Sequence, residues 1–148
     1  MSFDRQQSHG YVVNHLARCF AQALFRRIKP HGATTGQFPV LLALWEHEGV
    51  TQTQLAENLA VEQPTMANTL KRMERDALIQ RVPDPEDRRQ SRIHLTPHGR
   101  ELEEVLTGCA DDANAAALAG LSPEERDTFL ALARRIIRNL EQDAGDAT

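Results

Sequence analysis

The stretch VEQPTMANTLKRME, residues 61–74, decides the fold of this chain. If a helix begins here, Pro64 lies in its first turn, where the missing N–H of proline costs nothing. Met66, Leu70 and Met73 then recur at helical spacing and predict one buried stripe. The other side chains carry amides, hydroxyls and cations, and we expect them to point away from that stripe: Gln63, Thr65, Asn68, Thr69, Lys71 and Arg72.

A second, shorter helix is predicted immediately upstream, over residues 52–59. Thr51 followed by Gln54 matches a capping box, in which side chains and backbone satisfy each other's free donors. A break at residues 60–62 separates the two helices. Two helices joined by a tight turn are typical of a helix-turn-helix. Amides and cations can read base edges and hydroxyls can hold phosphates, so the polar face is a candidate DNA-binding surface.

Two short strands are predicted after the second helix, at residues 78–82 and 91–95, where apolar and polar residues alternate. The loop between them, PDPEDRRQ, cannot form a helix interior and carries Arg88 and Arg89 near its tip. These arginines are compatible with a solvated turn. Their position directly after a helix-turn-helix favours a wing whose arginines reach a minor groove, where the potential is negative.

Three sequence runs in this region follow one another in a set order. They are LKRME at residues 70–74, DPEDRR at 84–89 and LTPHGREL at 95–102. With Leu55-Ala56 and Leu78-Ile79, they resemble the MarR family of bacterial transcriptional regulators, in which a D-x-R-R wing is followed by L-T-x-x-G. The resemblance covers about residues 35–102. The family often has Ser, Arg and Gly where this chain has Pro64, Asn68 and Ala77.

Helical patterns flank this region on both sides. Apolar residues recur at helical spacing over residues 8–29 and 36–47 before it, and over 97–120 and 122–140 after it. The fold class is therefore mostly α: a winged helix-turn-helix, with a small two- or three-stranded β-wing, flanked by N- and C-terminal dimerisation helices.

The predicted organisation is one compact domain overall. We expect a helical dimerisation region at 1–33 and 98–148, and a winged helix-turn-helix DNA-binding region at 34–97. A two-fold dimer would bury the terminal helices against the same elements of a second chain. It would also hold two recognition helices at one separation. The operator would then be a pseudo-palindrome with half-site centres roughly 10–10.5 base pairs apart.

The resemblance implies a sequence-specific regulator, a repressor or an activator with the repressor preferred, that binds double-stranded DNA as a homodimer. It also implies a small phenolic or lipophilic effector. A crevice between the dimerisation helices and the winged region could take such a ligand. The candidate pocket residues lie on the first two helices: His15, Cys19, Phe38 and Trp45.

The net charge of −4 does not by itself favour a nucleic-acid partner. The acidity is concentrated near the C-terminus, because residues 98–148 carry eleven acidic side chains and five basic ones. Residues 62–92 carry seven basic and six acidic side chains. The charge distribution therefore permits DNA binding but predicts weak non-specific affinity.

Several other protein classes are disfavoured. No apolar run approaches the roughly 20 residues that span a bilayer and no leader pattern opens the chain, so we expect a cytoplasmic protein without a membrane partner. Two cysteines are too few for a disulfide framework, and the six histidines lack metal-ligand spacing. Phosphate-binding loops and nucleophile motifs are absent from the sequence. We therefore predict no enzyme, no metal and no cofactor.

Two alternatives remain open. Cys19 lies in the first helix, roughly where the hydroperoxide-sensing MarR regulators have a reactive cysteine, and Tyr11 precedes it by two turns. The competing interpretation is a small buried thiol that packs as a hydrophobic residue. The second alternative is a winged helix used for protein association without DNA. The polar face of the second helix and the arginines of the wing argue against it.

Overall fold

The computed structural model describes residues 2–147, which fold mainly into helices around a small sheet. Within that range the elements are α1 (His9–Ile28), α2 (Phe38–Glu46), β1 (Val50–Thr51), α3 (Gln52–Asn58), α4 (Gln63–Arg75), β2 (Ile79–Pro83), β3 (Ser91–Leu95), α5 (Pro97–Glu101), α6 (Glu103–Ala117) and α7 (Pro123–Asp146). Short 3-10 turns, Arg5–Gln7 and Lys29–His31, lie on either side of α1. The chain divides into two compact units, the first ending at Ala113 and the second beginning at Asn114.

The predicted helix-turn-helix is confirmed as α3 and α4. The Thr51 hydroxyl accepts a hydrogen bond from the backbone N–H of Gln54 at 3.2 Å, and the Gln54 side chain accepts one from the Thr51 N–H at 2.9 Å. The capping box therefore starts α3 as expected. Ala60 adopts a left-handed conformation, with φ of 52°, in the turn between the helices. Pro64 lies in the first turn of α4.

The wing is confirmed as the antiparallel hairpin of β2 and β3, in which Ile79 pairs with Leu95. Strand β2 begins one residue later than predicted, because the N–H of Leu78 donates to the carbonyl of Met73 and so belongs to the end of α4. A third strand, β1, pairs with β3 on the other side and gives the order β1-β3-β2. The sheet therefore has three strands, the larger of the two numbers predicted.

One core holds the helix-turn-helix against the sheet. Met66, Leu70 and Met73, the predicted stripe of α4, are all buried. They join a buried cluster with residues of α1, α2, α3, the sheet and α6, and with Leu102 between α5 and α6. The members are Ile28, Leu41, Leu44, Leu55, Ile93, Leu95, Leu102 and Leu106. Burying each such side chain contributes about 1.5–3 kcal/mol, so α4 is held mainly by its inner face.

The helix expected over residues 97–120 is interrupted, and α5 and α6 are separate helices on either side of Leu102. The Trp45 indole N–H donates to the Gly99 carbonyl at 3.0 Å. A continuous helix would offer that carbonyl to the N–H of Glu103. Gly99 also lies against the backbone just before strand β2, because a Cβ at this position would stand 2.3 Å from the Leu78 carbonyl oxygen.

Two long helices expose apolar side chains. In the first unit, α1 exposes Tyr11, Val12, Val13, Leu16 and Phe25. In the second unit, α7 begins with the predicted capping box of Ser122 and Glu125. It exposes a row of large apolar residues: Phe129, Leu130, Leu132, Ile136, Ile137 and Leu140.

Candidate nucleic-acid interface

The outer face of α4 is polar and exposed. Gln63, Thr65, Asn68, Lys71 and Arg72 are exposed, as expected for side chains that point away from the buried stripe. Thr69 is half-buried, and its hydroxyl donates to the Thr65 carbonyl at 3.0 Å. That hydroxyl proton is used within the helix, so Thr69 offers an external partner only its acceptor lone pairs.

The C-terminal end of α4 closes with two backbone hydrogen bonds. Ala77 donates to the Glu74 carbonyl at 3.0 Å and Leu78 donates to the Met73 carbonyl at 2.9 Å. This is the pattern of a Schellman motif, and it requires a left-handed residue, here Ala77 with φ of 57°. Alanine therefore occupies a conformation that favours glycine.

A buried glutamine connects the end of α4 to the segment before α2. The Gln37 side chain is only 3% exposed, and its amide donates to the Asp76 carboxylate at 2.9 Å. Its carbonyl oxygen accepts from the Thr34 N–H at 3.2 Å. The hydrogen bonds from Arg75 and then Gln37 hold the pKa of Asp76 below its ordinary value. Gln37 thus couples the approach to α2 with the end of the candidate recognition helix.

The base of the wing is held by Asp84 and Arg92. The Asp84 side chain is buried, accepts from the Glu86 N–H at 2.9 Å and pairs with Arg92 at 3.2 Å. Arg92 also donates to the Gly49 carbonyl at 2.8 Å, which connects the loop to the start of β1. The Glu86 N–H lowers the pKa of Asp84, with help from the charge of Arg92, against the opposing effect of burial.

The tip of the wing carries the two predicted arginines. Arg89 forms an ion pair with Asp87 at 3.1 Å, and the backbone N–H of Arg89 donates to the same carboxylate. Arg88 is exposed and has neither a hydrogen bond nor an ion pair within residues 2–147. Asp87 therefore holds one arginine and leaves the guanidinium of the other accessible to a partner.

A chain of side chains joins the wing to both helices of the helix-turn-helix. Arg81 on β2 pairs with Glu74 on α4, and its guanidinium also donates to Gln52 on α3 at 3.4 Å. The Gln52 amide in turn donates to the side-chain oxygen of Gln63 on α4 at 3.3 Å. Glu74 and Gln52 therefore set the position of the wing strand relative to the outer face of α4.

A second ionic cluster lies at the root of the hairpin. The Glu48 carboxylate accepts from the Arg100 guanidinium at 2.9 Å and from the Leu95 N–H at 2.8 Å. His94 lies 3.7 Å from the same carboxylate. The Arg100 hydrogen bond holds the pKa of Glu48 below its ordinary value although burial opposes it. The cluster connects β3 and α5 to the segment that follows α2.

The four predicted effector-pocket residues fall into two groups. Phe38 and Trp45 on α2 form an edge-to-face pair with ring centroids 6.3 Å apart. His15 and Cys19 on α1 are exposed. Within residues 2–147, neither forms a hydrogen bond, ion pair or ring contact with the aromatic pair. The structure thus brings two of the four together.

Cys19 is an exposed free thiol, so its interpretation as a buried packing residue is wrong. Cys19 lies on the exposed face of α1. The residues of α1 that reach the core, Leu24 and Ile28, lie toward its C-terminal end. Tyr11 is in contact with Arg5. The Cys19 thiol makes no hydrogen bond in the described part of the chain. The polar partners that would activate a thiol are therefore not provided by this unit alone.

Several residues that shape the interface were not identified from the sequence. Asp84 carried a usable signal, because Asp before Pro is typical of turns in which the side chain bonds the backbone two residues on. Gln37 and Glu48 carried no such signal, because their partners Asp76 and Arg100 lie 39 and 52 residues away in sequence.

Histidine, cysteine, aspartate and glutamate side chains of the described residues form no group suited to a metal ion. No helix in that range is long and apolar enough to cross a membrane.

Comparison with known proteins identifies the family. Residues 33–91 match the model of the MarR family. An uncharacterized HTH-type transcriptional regulator of Bacillus subtilis, YybA, is 31% identical over 131 residues, which is 88% of this chain and 87% of YybA.

Two solved structures have the same fold and extend the comparison. The S. aureus MepR–DNA complex is 28% identical with a TM-score of 0.83, over 89% of this chain and 98% of that one. The Streptomyces coelicolor PcaV regulator, determined with its natural ligand, is 27% identical with a TM-score of 0.80, over 93% and 97%. YybA and PcaV are both described as transcriptional regulators. The chain therefore belongs to the MarR family of transcriptional regulators.

Proposed function

We propose that this regulator binds double-stranded DNA as a homodimer, recognises a pseudo-palindromic operator, represses transcription there and is released by a small effector. The observation that carries the proposal is the combination of α4 and the wing. The outer face of α4 presents exposed amides, hydroxyls and cations, and Arg88 of the wing has no partner within residues 2–147. MepR, which has the same fold, was determined bound to DNA.

Direct base reading is assigned to Thr65 and Asn68. Both are exposed near the start and middle of α4, where a recognition helix reaches base edges in the major groove. Lys71, Arg72, Thr69 and Gln63 complete the contact face, and Lys71 and Arg72 mainly hold phosphates. Asn68→Ala then costs about 1–3 kcal/mol and relaxes sequence preference. Lys71→Ala weakens binding to all sequences alike and reduces the salt slope by about one unit.

The wing supplies a second contact through Arg88 and Arg89. Arg88 is exposed and unpaired within residues 2–147, and the Arg89 ion pair with Asp87 is itself exposed, so either guanidinium can enter a minor groove. Replacing both arginines with alanine is expected to lower DNA affinity at least about tenfold without changing the melting temperature. The Asp84–Arg92 pair, which holds the base of the loop, is untouched by these changes.

The homodimer is supported by the apolar side chains that α1 and α7 expose. Exposed rows of this size are typical of protein–protein contacts. We assign the dimerisation region to 1–33 and 98–148 and the DNA-binding region to 34–97. Two recognition helices held by one two-fold axis require half-sites about one helical turn apart.

The experiment that tests this function begins with selection of bound DNA from a random pool, followed by titration of the selected site. Five base pairs inserted between the half-sites rotate one of them to the far face of the duplex, so tight binding is expected to be abolished. Sedimentation is expected to show a dimer at micromolar protein. A monomer, or equal binding to the lengthened site, would contradict the proposal.

The effector assignment is proposed from the aromatic pair and from the family. The PcaV regulator, which has the same fold, was determined with a ligand. We assign a pocket for a small phenolic or lipophilic compound to His15, Cys19, Phe38 and Trp45. Trp45 is the only tryptophan of the chain, so a ligand beside it is expected to change the intrinsic fluorescence. Titration with simple phenolic acids checks this, with Phe38→Ala as the variant expected to lose the response.

A further inference from the structure

Arg75 is a cation on the outer face of α4 that is not among the residues assigned to DNA. It follows Asn68 by seven residues and Lys71 by four, which correspond to about two turns and about one turn of an α-helix. The three side chains therefore lie on the same face of α4. The Arg75 side chain is 70% exposed, so its guanidinium is accessible from that face.

The guanidinium of Arg75 is held along one edge by Asp76. Its Nε donates to Oδ1 of Asp76 at 3.1 Å, and its Nη2 donates to Oδ2 at 3.5 Å. Nη1 has no hydrogen bond or ion pair within residues 2–147. Since a guanidinium is a planar fork of N–H donors, the edge formed by Nη1 and Nη2 remains available to an acceptor.

Gln37 holds Asp76 in turn. The Gln37 side chain is buried, and its amide donates to Oδ2 of Asp76 at 2.9 Å. The oxygen of the same amide accepts from the Thr34 N–H, which fixes its orientation. An exposed ion pair is weak by itself, because solvent screens both charges and the side chains lose freedom on pairing. The buried amide removes part of that freedom in advance, because it fixes the carboxylate to which Arg75 is bound.

Asp76 is an unfavourable residue for the place that it occupies. It is the C-cap of α4, where the helix dipole carries partial negative charge, so an acidic side chain there destabilises the helix. Its contact with Arg75 offsets this effect and orders a cation at the C-terminal end of the helix. In homeodomains, that end of the recognition helix contacts the DNA backbone. The position of Arg75 is therefore suited to a phosphate.

We propose that Arg75 is a further DNA-binding residue that holds a backbone phosphate at the C-terminal end of α4, and that Gln37 and Asp76 are positioning residues that orient it. The inference rests on the proposed DNA binding and deepens it by extending the contact face one helical turn past Lys71. A phosphate is the matching partner, because the free edge of the guanidinium is a charged pair of donors that fits an anionic acceptor.

Arg75→Met tests the contact, because it keeps most of the apolar stem and removes the charge. Affinity for the operator selected by the wild-type protein is measured by fluorescence anisotropy over a range of salt concentrations. The variant is expected to bind all sequences about fivefold more weakly and to show a salt slope reduced by about one unit. Single methylphosphonates are then scanned along both strands. At one phosphate the substitution is expected to weaken wild type and to leave Arg75→Met unaffected.

Gln37→Leu tests the positioning role without a change in net charge. It is expected to weaken DNA binding about threefold, but by less than about 1.5-fold in the Arg75→Met background. A purely structural effect would be the same in both backgrounds, and affinities are corrected for the active fraction measured by stoichiometric titration. Gln80→Leu is the matched control, because the Gln80 side chain is exposed on β2 and makes no hydrogen bond within residues 2–147. Its affinity is expected to equal that of wild type.

Asp76→Asn separates positioning from the electrostatic effect of the carboxylate, and it carries the test if Gln37→Leu does not fold. If only the charge matters, removing an acidic group near DNA raises affinity. If Asp76 orients Arg75, the variant is expected to bind about twofold more weakly than wild type. In the Arg75→Met background the same substitution is expected to leave affinity unchanged or to raise it.

Three results would overturn the inference. The first is an Arg75→Met variant that binds as tightly as wild type, or whose loss depends on one base pair and on no single phosphate. The second is a Gln37→Leu effect of the same size in both backgrounds. The third is an Asp76→Asn variant that binds more tightly than wild type. Failure of the proposed function is distinguishable, because the wild-type protein would then select no sequence from the pool.

Discussion

Gln37 connects the segment before α2 to the end of α4, and its replacement tests whether this connection stabilises the fold. Gln37→Leu keeps the side-chain volume but removes the hydrogen bonds to Asp76 and to the Thr34 N–H. A hydrogen bond to a charged group contributes about 1.5–3 kcal/mol and one to a backbone amide about 1 kcal/mol. Asp76 still accepts hydrogen bonds from Arg75 and from solvent in the variant, which reduces the cost. We therefore expect a net loss of about 2 kcal/mol in the free energy of unfolding.

Gln37→Glu changes the pH dependence in a way that Gln37→Leu does not. In the wild-type protein the pKa of Asp76 is lowered from 3.8, so its contribution to stability is present above that value and is lost as pH falls through the lower folded pKa. Gln37→Glu places two carboxylates at the 2.9 Å contact, and their mutual repulsion raises a folded pKa above the unfolded value. The variant is therefore expected to lose stability as pH rises from about 4 to 7.

Urea denaturation at fixed protein concentration, followed by Trp45 fluorescence, measures both effects. Gln142 is exposed on α7, so Gln142→Leu and Gln142→Glu are matched controls expected to stay within about 0.5 kcal/mol of wild type. The reasoning is refuted if Gln37→Leu is as stable as the Gln142 variants. It is also refuted if the difference between the urea midpoints of Gln37→Glu and wild type stays constant between pH 4 and 7.

Three further predictions concern other parts of the chain. Ala77→Gly relieves a left-handed alanine at the end of α4 and is expected to raise the free energy of unfolding by about 0.5–1 kcal/mol, seen as a higher urea midpoint with an unchanged slope. Asp84→Asn removes the charge that holds Arg92 and is expected to lower the free energy of unfolding relative to wild type. This difference is expected to shrink as pH falls below about 3.9, because Asp84 then becomes protonated in the wild-type protein. A difference that does not depend on pH would count against the ion pair. Ile136→Glu puts a charge in the exposed apolar row of α7 and is expected to convert a dimer to a monomer in sedimentation, while an unchanged dimer would place the interface elsewhere.

Local patterns made the helix-turn-helix and the wing predictable. The capping box of Thr51 and Gln54, the early Pro64 and the spacing of Met66, Leu70 and Met73 each act over a few residues, and the structure contains all of them. The loop at 83–90 was also predictable, because its two prolines exclude a helix interior. These signals were reliable because the interactions that produce them are formed within one turn of the backbone.

The third strand could not be predicted by the same means. Val50–Thr51 is two residues long, too short for any alternation to be visible. It becomes a strand because Val50 pairs with Ile93, 43 residues later in the chain. The exposure of Cys19 was equally invisible, because an apolar helical pattern does not say which part of the helix reaches the core.

The sequence alone predicted the fold class and the polar outer face of α4, because both depend on the periodicity of neighbouring residues. It also predicted the two arginines of the wing, because they lie in a proline-containing loop between two short strands. Tertiary structure alone decided how that face is held. Gln37 with Asp76, Arg92 with Gly49 and the chain from Arg81 to Gln63 all join residues that the fold brings together from different elements. Side-chain hydrogen bonds of this kind depend on distances and donor directions that exist only after the core has packed, and they leave no periodic trace in the sequence.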